Sequence, residues 1–144
     1  MSRMHQLPRL VVPGYYRSSE TGARLAMERD ATIFCTLVCL RRRVPKWYSA
    51  LAVPGRSVRL HFPIPPGSDS DCGPRVRQLV SELMPGLSQP VLFFCKEGRH
   101  RAGMVAAALV VLGGGSLAAG LREYEDGARP GRERERVIIR SILE

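Results

Sequence analysis

Val91-Leu92-Phe93-Phe94-Cys95-Lys96-Glu97-Gly98-Arg99-His100-Arg101-Ala102-Gly103 is the stretch that decides the fold of this 144-residue chain. Val91 to Phe94 is short, apolar and β-favouring, and Pro90 precedes it. It reads as a buried strand of a parallel sheet. The run from Ala102 to Leu112 is rich in alanine and leucine and long enough for three turns of helix. It stops at Gly113-Gly114-Gly115. The residues between must curl at the carboxyl end of a strand, where open α/β sheets take up their ligands.

A loop that runs into a helix in this way aims several backbone N–H groups at one spot, and the helix dipole adds about half a positive charge there. Gly98 permits a turn that a side chain would hinder. Arg101 can hold two phosphate oxygens with its planar fork. Cys95, Lys96, Glu97, Gly98, Arg99, His100 and Arg101 together read as a phosphate-binding loop. Cysteines near helix N-termini and cations ionise readily, so Cys95 is placed as a nucleophile for phosphorus. A covalent phosphocysteine would split the reaction into two steps. The bland alternative is a core cysteine followed by a basic surface loop, since free cysteine is common in cores. The strand before, the glycine inside and the helix after favour the phosphate loop.

The spacing Cys-x5-Arg resembles the signature of the cysteine-dependent protein tyrosine phosphatase superfamily. The closer likeness is to the plant and fungal atypical dual-specificity phosphatases, whose loop reads Cys-Lys-x-Gly-Lys-His-Arg-Thr-Gly. A rhodanese-type sulfurtransferase loop usually has one residue fewer, which would put His100 at the arginine position. Tyr16-Arg17-Ser18, Ile33–Leu40 and Glu123-Tyr124 resemble further segments of the same group, so the likeness spans most of the chain. It implies a hydrolase acting on inositol pyrophosphates, or a tyrosine or dual-specificity protein phosphatase. The sequence departs from the group at Phe94, which replaces a histidine, and at Ala102, which replaces a serine or threonine. That hydroxyl stabilises the departing sulfur in the second step. Losing one such donor costs on the order of 10²–10³ in rate in other enzymes.

The resemblance also implies an aspartate that protonates the leaving oxygen, on a loop upstream of the cysteine. Here that loop is Phe62-Pro63-Ile64-Pro65-Pro66-Gly67-Ser68-Asp69-Ser70-Asp71-Cys72-Gly73-Pro74. Many superfamily members carry the acid near Pro66, which cannot donate. Asp69 and Asp71 are the loop's carboxylates, 26 and 24 residues before Cys95. Both are candidate donors, and Asp71 is equally placed to cap the helix that follows. A pyrophosphate bond needs such a donor less, because its leaving group is itself a phosphate.

The length suits one compact domain, 1–144. No run of 18 apolar residues occurs, so no membrane-spanning helix is expected. Met1–Val12 lacks a signal-peptide pattern, and a nucleophilic thiol suits a reducing compartment, so the expected location is intracellular, cytoplasmic or nuclear. Cys35, Cys39, Cys72 and Cys95 form no metal-ligand spacing with the histidines, and no metal or organic cofactor is implied. Cys35 and Cys39 read as core residues, and a reversible Cys72–Cys95 disulfide is a minor alternative. The net charge of +9 and a pI near 10.3 suggest an acidic partner. Arg41-Arg42-Arg43 and Lys46 follow a strand, and so sit at a carboxyl edge near the loop. They are either a solvated turn or a trap for a polyanionic inositol phosphate, a phosphoprotein or an RNA 5′ end. The arginine-rich tail Arg129–Arg140 alternates with glutamate and reads as a salt-bridged helix face. Aromatic residues are too few for base stacking, which disfavours nucleic acid.

Along the chain, strands are expected at Leu10–Val12, Tyr15–Arg17, Ile33–Leu40, Val58–Phe62 and Val91–Phe94. Helices are expected at Ser19–Arg29 with Leu25 and Met27 apolar, at Trp47–Ala52, at Pro74–Met84, from Ser116 to about Glu125, and at Arg132–Leu143. Pro54-Gly55 reads as a turn, and His61 as facing a neighbouring helix or water. The alternation implies an α/β fold: a central, mostly parallel sheet flanked by helices, with the phosphatase loop between a strand and the central helix. A catalytically weak pseudophosphatase that binds phosphorylated partners stays open beside the enzyme, as does an RNA 5′-phosphatase.

Overall fold

A computed structural model of the chain describes residues 8–30, 33–51 and 58–127. Five strands form one sheet: β1 (Arg9–Val12), β2 (Tyr15–Ser19), β3 (Thr36–Cys39), β4 (Val58–His61) and β5 (Val91–Cys95). Their spatial order is β1-β2-β5-β3-β4. β5 is therefore central, parallel to β2 on one side and to β3 on the other, and β1 alone runs antiparallel. All five residues of β5 are buried, which explains why it reads as an unbroken apolar run.

The pleat sends alternate side chains of β5 to opposite faces. Leu92 and Phe94 pack with Leu37, Cys39, Ala23, Met27 and Tyr48. They meet α1 (Glu20–Arg29) and α2 (Lys46–Ala50) on that face. Val91, Phe93 and Cys95 join the larger core, with Val38, Leu40, Met104 and Val105. That side carries α3 (Cys72–Gln78), α4 (Arg101–Leu112) and α5 (Leu117–Gly127). α4 buries every residue from Ala102 to Leu109, so it is apolar on all sides. Ser19 and Ser116 cap α1 and α5, accepting from the backbone N–H of Gly22 and Ala119 at 3.0 Å each.

The structure corrects several details of the sequence reading. The strand expected over Ile33–Leu40 is only Thr36–Cys39, and Ile33 is half exposed because it precedes the sheet. Leu25 is exposed; α1 buries Gly22, Ala23 and Met27 instead. The helix expected at Pro74–Met84 begins at Cys72 and passes into a wider turn at Leu79–Leu83, then a tighter one at Met84–Gly86. Cys39 is fully buried, but Cys35 only partly. The expected turn at Pro54-Gly55, the last helix and the arginine-rich tail lie outside the described residues. Among the described residues, no helix is long and apolar enough to cross a membrane, and no group of acidic, histidine or cysteine side chains is placed to hold a metal ion.

Candidate active site

Cys95 is the last residue of β5, nearly buried, with its side chain on the α4 side of the sheet. The loop then turns back over it. The backbone N–H of Gly98 points at the cysteine sulfur, 3.2 Å away. Gly98 adopts φ +75°, a conformation that side chains resist. It also lies against β2: a Cβ there would sit 2.6 Å from the Ser19 nitrogen and 2.8 Å from the Ser18 carbonyl carbon. The sequence assigned this glycine a turn, and the structure adds a close backbone approach.

His100 is the N-cap of α4, so the free N–H groups of its first turn face the loop. The loop is pinned from behind. Arg17, only 3% exposed, donates to the carbonyl of Gly98 at 3.0 Å. Its other nitrogen binds the Glu123 carboxylate at 2.9 Å and the Glu123 carbonyl. Burial pushes the Arg17 guanidinium below its ordinary value, and the hydrogen bond and charge of Glu123 oppose that. The pair therefore acts as a satisfied buried cation that fixes the peptide after Gly98. Gly103 makes room for it: a Cβ would come within 2.8 Å of Tyr124 and 3.1 Å of Arg17. Tyr124, itself buried, places its hydroxyl 3.5 Å from the His100 ring nitrogen. Tyr16-Arg17-Ser18 and Glu123-Tyr124, which the sequence offered only as family likenesses, meet here behind the loop.

Above Cys95 opens a cavity of about 590 Å³. Lys96, Glu97, His100, Arg101 and Met104 line it from the loop and α4. Arg41, Arg42 and Arg43 line it from the β3–α2 connection, and Pro66, Gly67 and Ser68 from the loop after β4. Five cationic side chains thus line the cavity with Cys95, and Glu97 is the sole carboxylate among the lining residues. The three arginines stand where the sequence put them, at a carboxyl edge beside the loop. Arg99 does not line the cavity.

Asp69 and Asp71 do not line it either. Both are exposed and border an adjoining groove of about 690 Å³ that shares Arg42, Pro66 and Arg101 with the Cys95 cavity. The Asp69 carboxylate accepts from the Asp71 backbone N–H at 2.8 Å, which stiffens the loop. Asp71 occupies the N-cap position of α3 without a side-chain capping bond. Ala102 is buried and offers the sulfur no hydroxyl. Phe94 has a packing role: its ring lies 5.6 Å from Trp47 and 5.4 Å from Tyr48. His61 is exposed and bonds the Arg41 carbonyl at 2.6 Å.

The other thiols differ in setting. Burial pushes Cys39 up to about 11, which leaves it protonated and unreactive at neutral pH. Cys72 is fully buried, its sulfur 3.7 Å from that of Met104. All four cysteines are free.

No protein-family model and no curated protein matches the sequence. Solved structures do match the fold. The core catalytic domain of the PP-IP phosphatase Siw14 from S. cerevisiae is 20% identical, with a TM-score of 0.74 over 92% of this chain and 83% of that one. A leucine-rich repeat and phosphatase domain protein from Entamoeba histolytica is 7% identical, with a TM-score of 0.71 over 99% and 94%. Human DUSP28 is 20% identical, with a TM-score of 0.58 over 96% and 93%. The chain has the fold of the cysteine-dependent phosphatases.

Proposed function

We propose that the protein is a cysteine-dependent phosphatase that hydrolyses phosphoanhydrides or phosphate esters, with an inositol pyrophosphate or a phosphoprotein as substrate. The observation that carries this reading is the Cys95 sulfur on the floor of a cation-lined cavity, under the Gly98 amide at 3.2 Å. The likeness to the Siw14 core and to DUSP28 supports it. Five cations against one lining carboxylate suit a substrate with several charges.

The chemistry proceeds in two steps. The Cys95 thiolate attacks phosphorus, and the bond from phosphorus to the leaving oxygen breaks. Arg101 and the loop amides hold the phosphoryl oxygens as charge moves onto them. Lys96, Arg99 and His100 add positive potential around the loop. The leaving oxygen takes a proton from Asp71 or, failing that, Asp69, once the loop after β4 brings a carboxylate across Pro66. Water then attacks the phosphocysteine, releasing phosphate and returning the thiolate. An anhydride substrate needs the carboxylate least, since its leaving phosphate is stable without a proton.

The test is phosphate release from an aryl phosphate, a phosphoserine peptide and an inositol pyrophosphate, side by side. The Asp71→Asn and Asp69→Asn variants identify the donor. Its loss should slow the phosphoserine ester by roughly 10²–10⁴-fold and the anhydride far less. Equal losses on both substrates would remove the acid role. Ala102 motivates a second reading, a pseudophosphatase that binds phosphorylated partners without turnover. Ala102→Ser restores the missing hydroxyl and should raise kcat by about tenfold or more if phosphocysteine breakdown limits the rate. A rapid-quench time course checks this, because the initial burst should shrink as kcat rises. Wild-type protein that binds phosphate ligands but releases none from any substrate would favour the pseudophosphatase.

A further inference from the structure

Glu20 is the first residue of α1, and the mechanism above does not use it. Its backbone N–H donates to the carbonyl of Lys96, in the phosphate loop, at 3.1 Å. One carboxylate oxygen accepts from the Arg41 guanidinium, the other from the Trp47 indole N–H at 2.8 Å. The Trp47 ring in turn packs on Phe94, the residue before Cys95. Arg41 and Glu20 are both partly sheltered, with side chains 29% and 23% exposed. Arg42 and Arg43 are exposed and form no ion pair among the described residues. Of three consecutive arginines on the cavity wall, Arg41 is the one tied to the loop.

We propose that Glu20 is a positioning residue that sets substrate selectivity, holding Arg41 toward charge borne by the substrate away from its reacting phosphate. This rests on the phosphatase reading of the cavity. A guanidinium has five N–H donors, and the carboxylate engages a single nitrogen, leaving others for a phosphate. An arginine already fixed loses less freedom on binding than one that must be ordered by the ligand. The negative charge of Glu20 works the other way, weakening attraction for any anion nearby. Positioning acts only on ligands that reach Arg41, whereas the charge acts on every ligand in the loop. The two roles therefore predict different changes in selectivity.

The experiment measures binding of inorganic phosphate and of inositol hexakisphosphate to the whole chain. The single tryptophan, Trp47, is the fluorescent reporter, with calorimetry as a check. Glu20→Ala should weaken hexakisphosphate binding by about tenfold and phosphate binding by less than twofold. Arg41→Ala should do the same, and adding Glu20→Ala to it should bring no further loss. Glu20→Gln keeps the side-chain shape and should fall between. Tighter hexakisphosphate binding in Glu20→Ala would overturn the proposal, because the charge effect would then dominate. So would equal weakening of both ligands, or additive effects of the two substitutions. Wild-type protein that binds phosphate without preferring hexakisphosphate overturns the proposal alone; wild-type protein that binds neither removes the phosphatase reading with it.

Discussion

Cys95→Ser should lower phosphate release from an activated aryl phosphate by about 10⁴-fold or more while leaving the fold and phosphate binding intact. The reasons are local. The serine oxygen replaces a sulfur at the end of a fully buried strand, with little change in volume. It can accept the Gly98 N–H that now points at the sulfur, so the loop keeps its shape. Arg101 and the other cavity cations are untouched. The lost property is nucleophilicity, since a serine hydroxyl with no adjacent base stays protonated. Thermal melting should show a small change, and phosphate should still bind. If the variant turned over like the wild type, Cys95 would not be the nucleophile. If it unfolded, the cysteine would be a core residue first.

Gly98→Ala should cost at least about 10² in kcat/KM and lower stability by about 2–4 kcal/mol. Two separate effects add. A side chain at φ +75° costs about 1–2 kcal/mol by itself. The new methyl would also meet backbone atoms of Ser18 and Ser19 at 2.6 to 2.9 Å. Those atoms cannot rotate away, because Ser18 and Ser19 pair in register with Phe94 and Cys95. The loop must move instead. Its movement pulls the Gly98 N–H from the sulfur and the Gly98 carbonyl from Arg17. Arg17 then keeps a buried charge with one partner fewer, which is costly. Activity and thermal melting measured together check this. Wild-type activity in the variant would mean that the close approach to β2 is not needed.

Much of this was legible in the sequence because strand, loop and helix are contiguous. Val91–Phe94 and Ala102–Leu112 are apolar runs, so a buried strand and a core helix were expected, and the loop between them had to lie at the sheet's carboxyl edge. The arginine triplet was placed by the same logic, as it follows a neighbouring parallel strand. Contacts between distant segments were not legible. Arg17 stood out only as part of a family likeness on an early strand, and its approach to Gly98 and Glu123 shows it as the loop's support. Glu20 was read only as part of the helix that Ser19 caps, and its bonds to Arg41 and Trp47 span 21 and 27 residues of sequence. Ile33 was read into the strand because β-propensity carries no information about where pairing starts. The resemblance implied an acid on the upstream loop, where Asp69 and Asp71 are the carboxylates, and the structure sets them in the adjoining groove.

The most direct test is to mix the protein with an activated aryl phosphate, quench in acid within milliseconds and analyse the peptides by mass spectrometry. With Ala102 in place of a hydroxyl, the second step should be the slower one and the intermediate should accumulate. A single phosphoryl group on the peptide that carries Cys95, formed at the rate of the initial burst and absent in Cys95→Ser, is the predicted result. Phosphate release without any adduct on Cys95, or an adduct elsewhere that survives Cys95→Ser, would contradict the two-step covalent route.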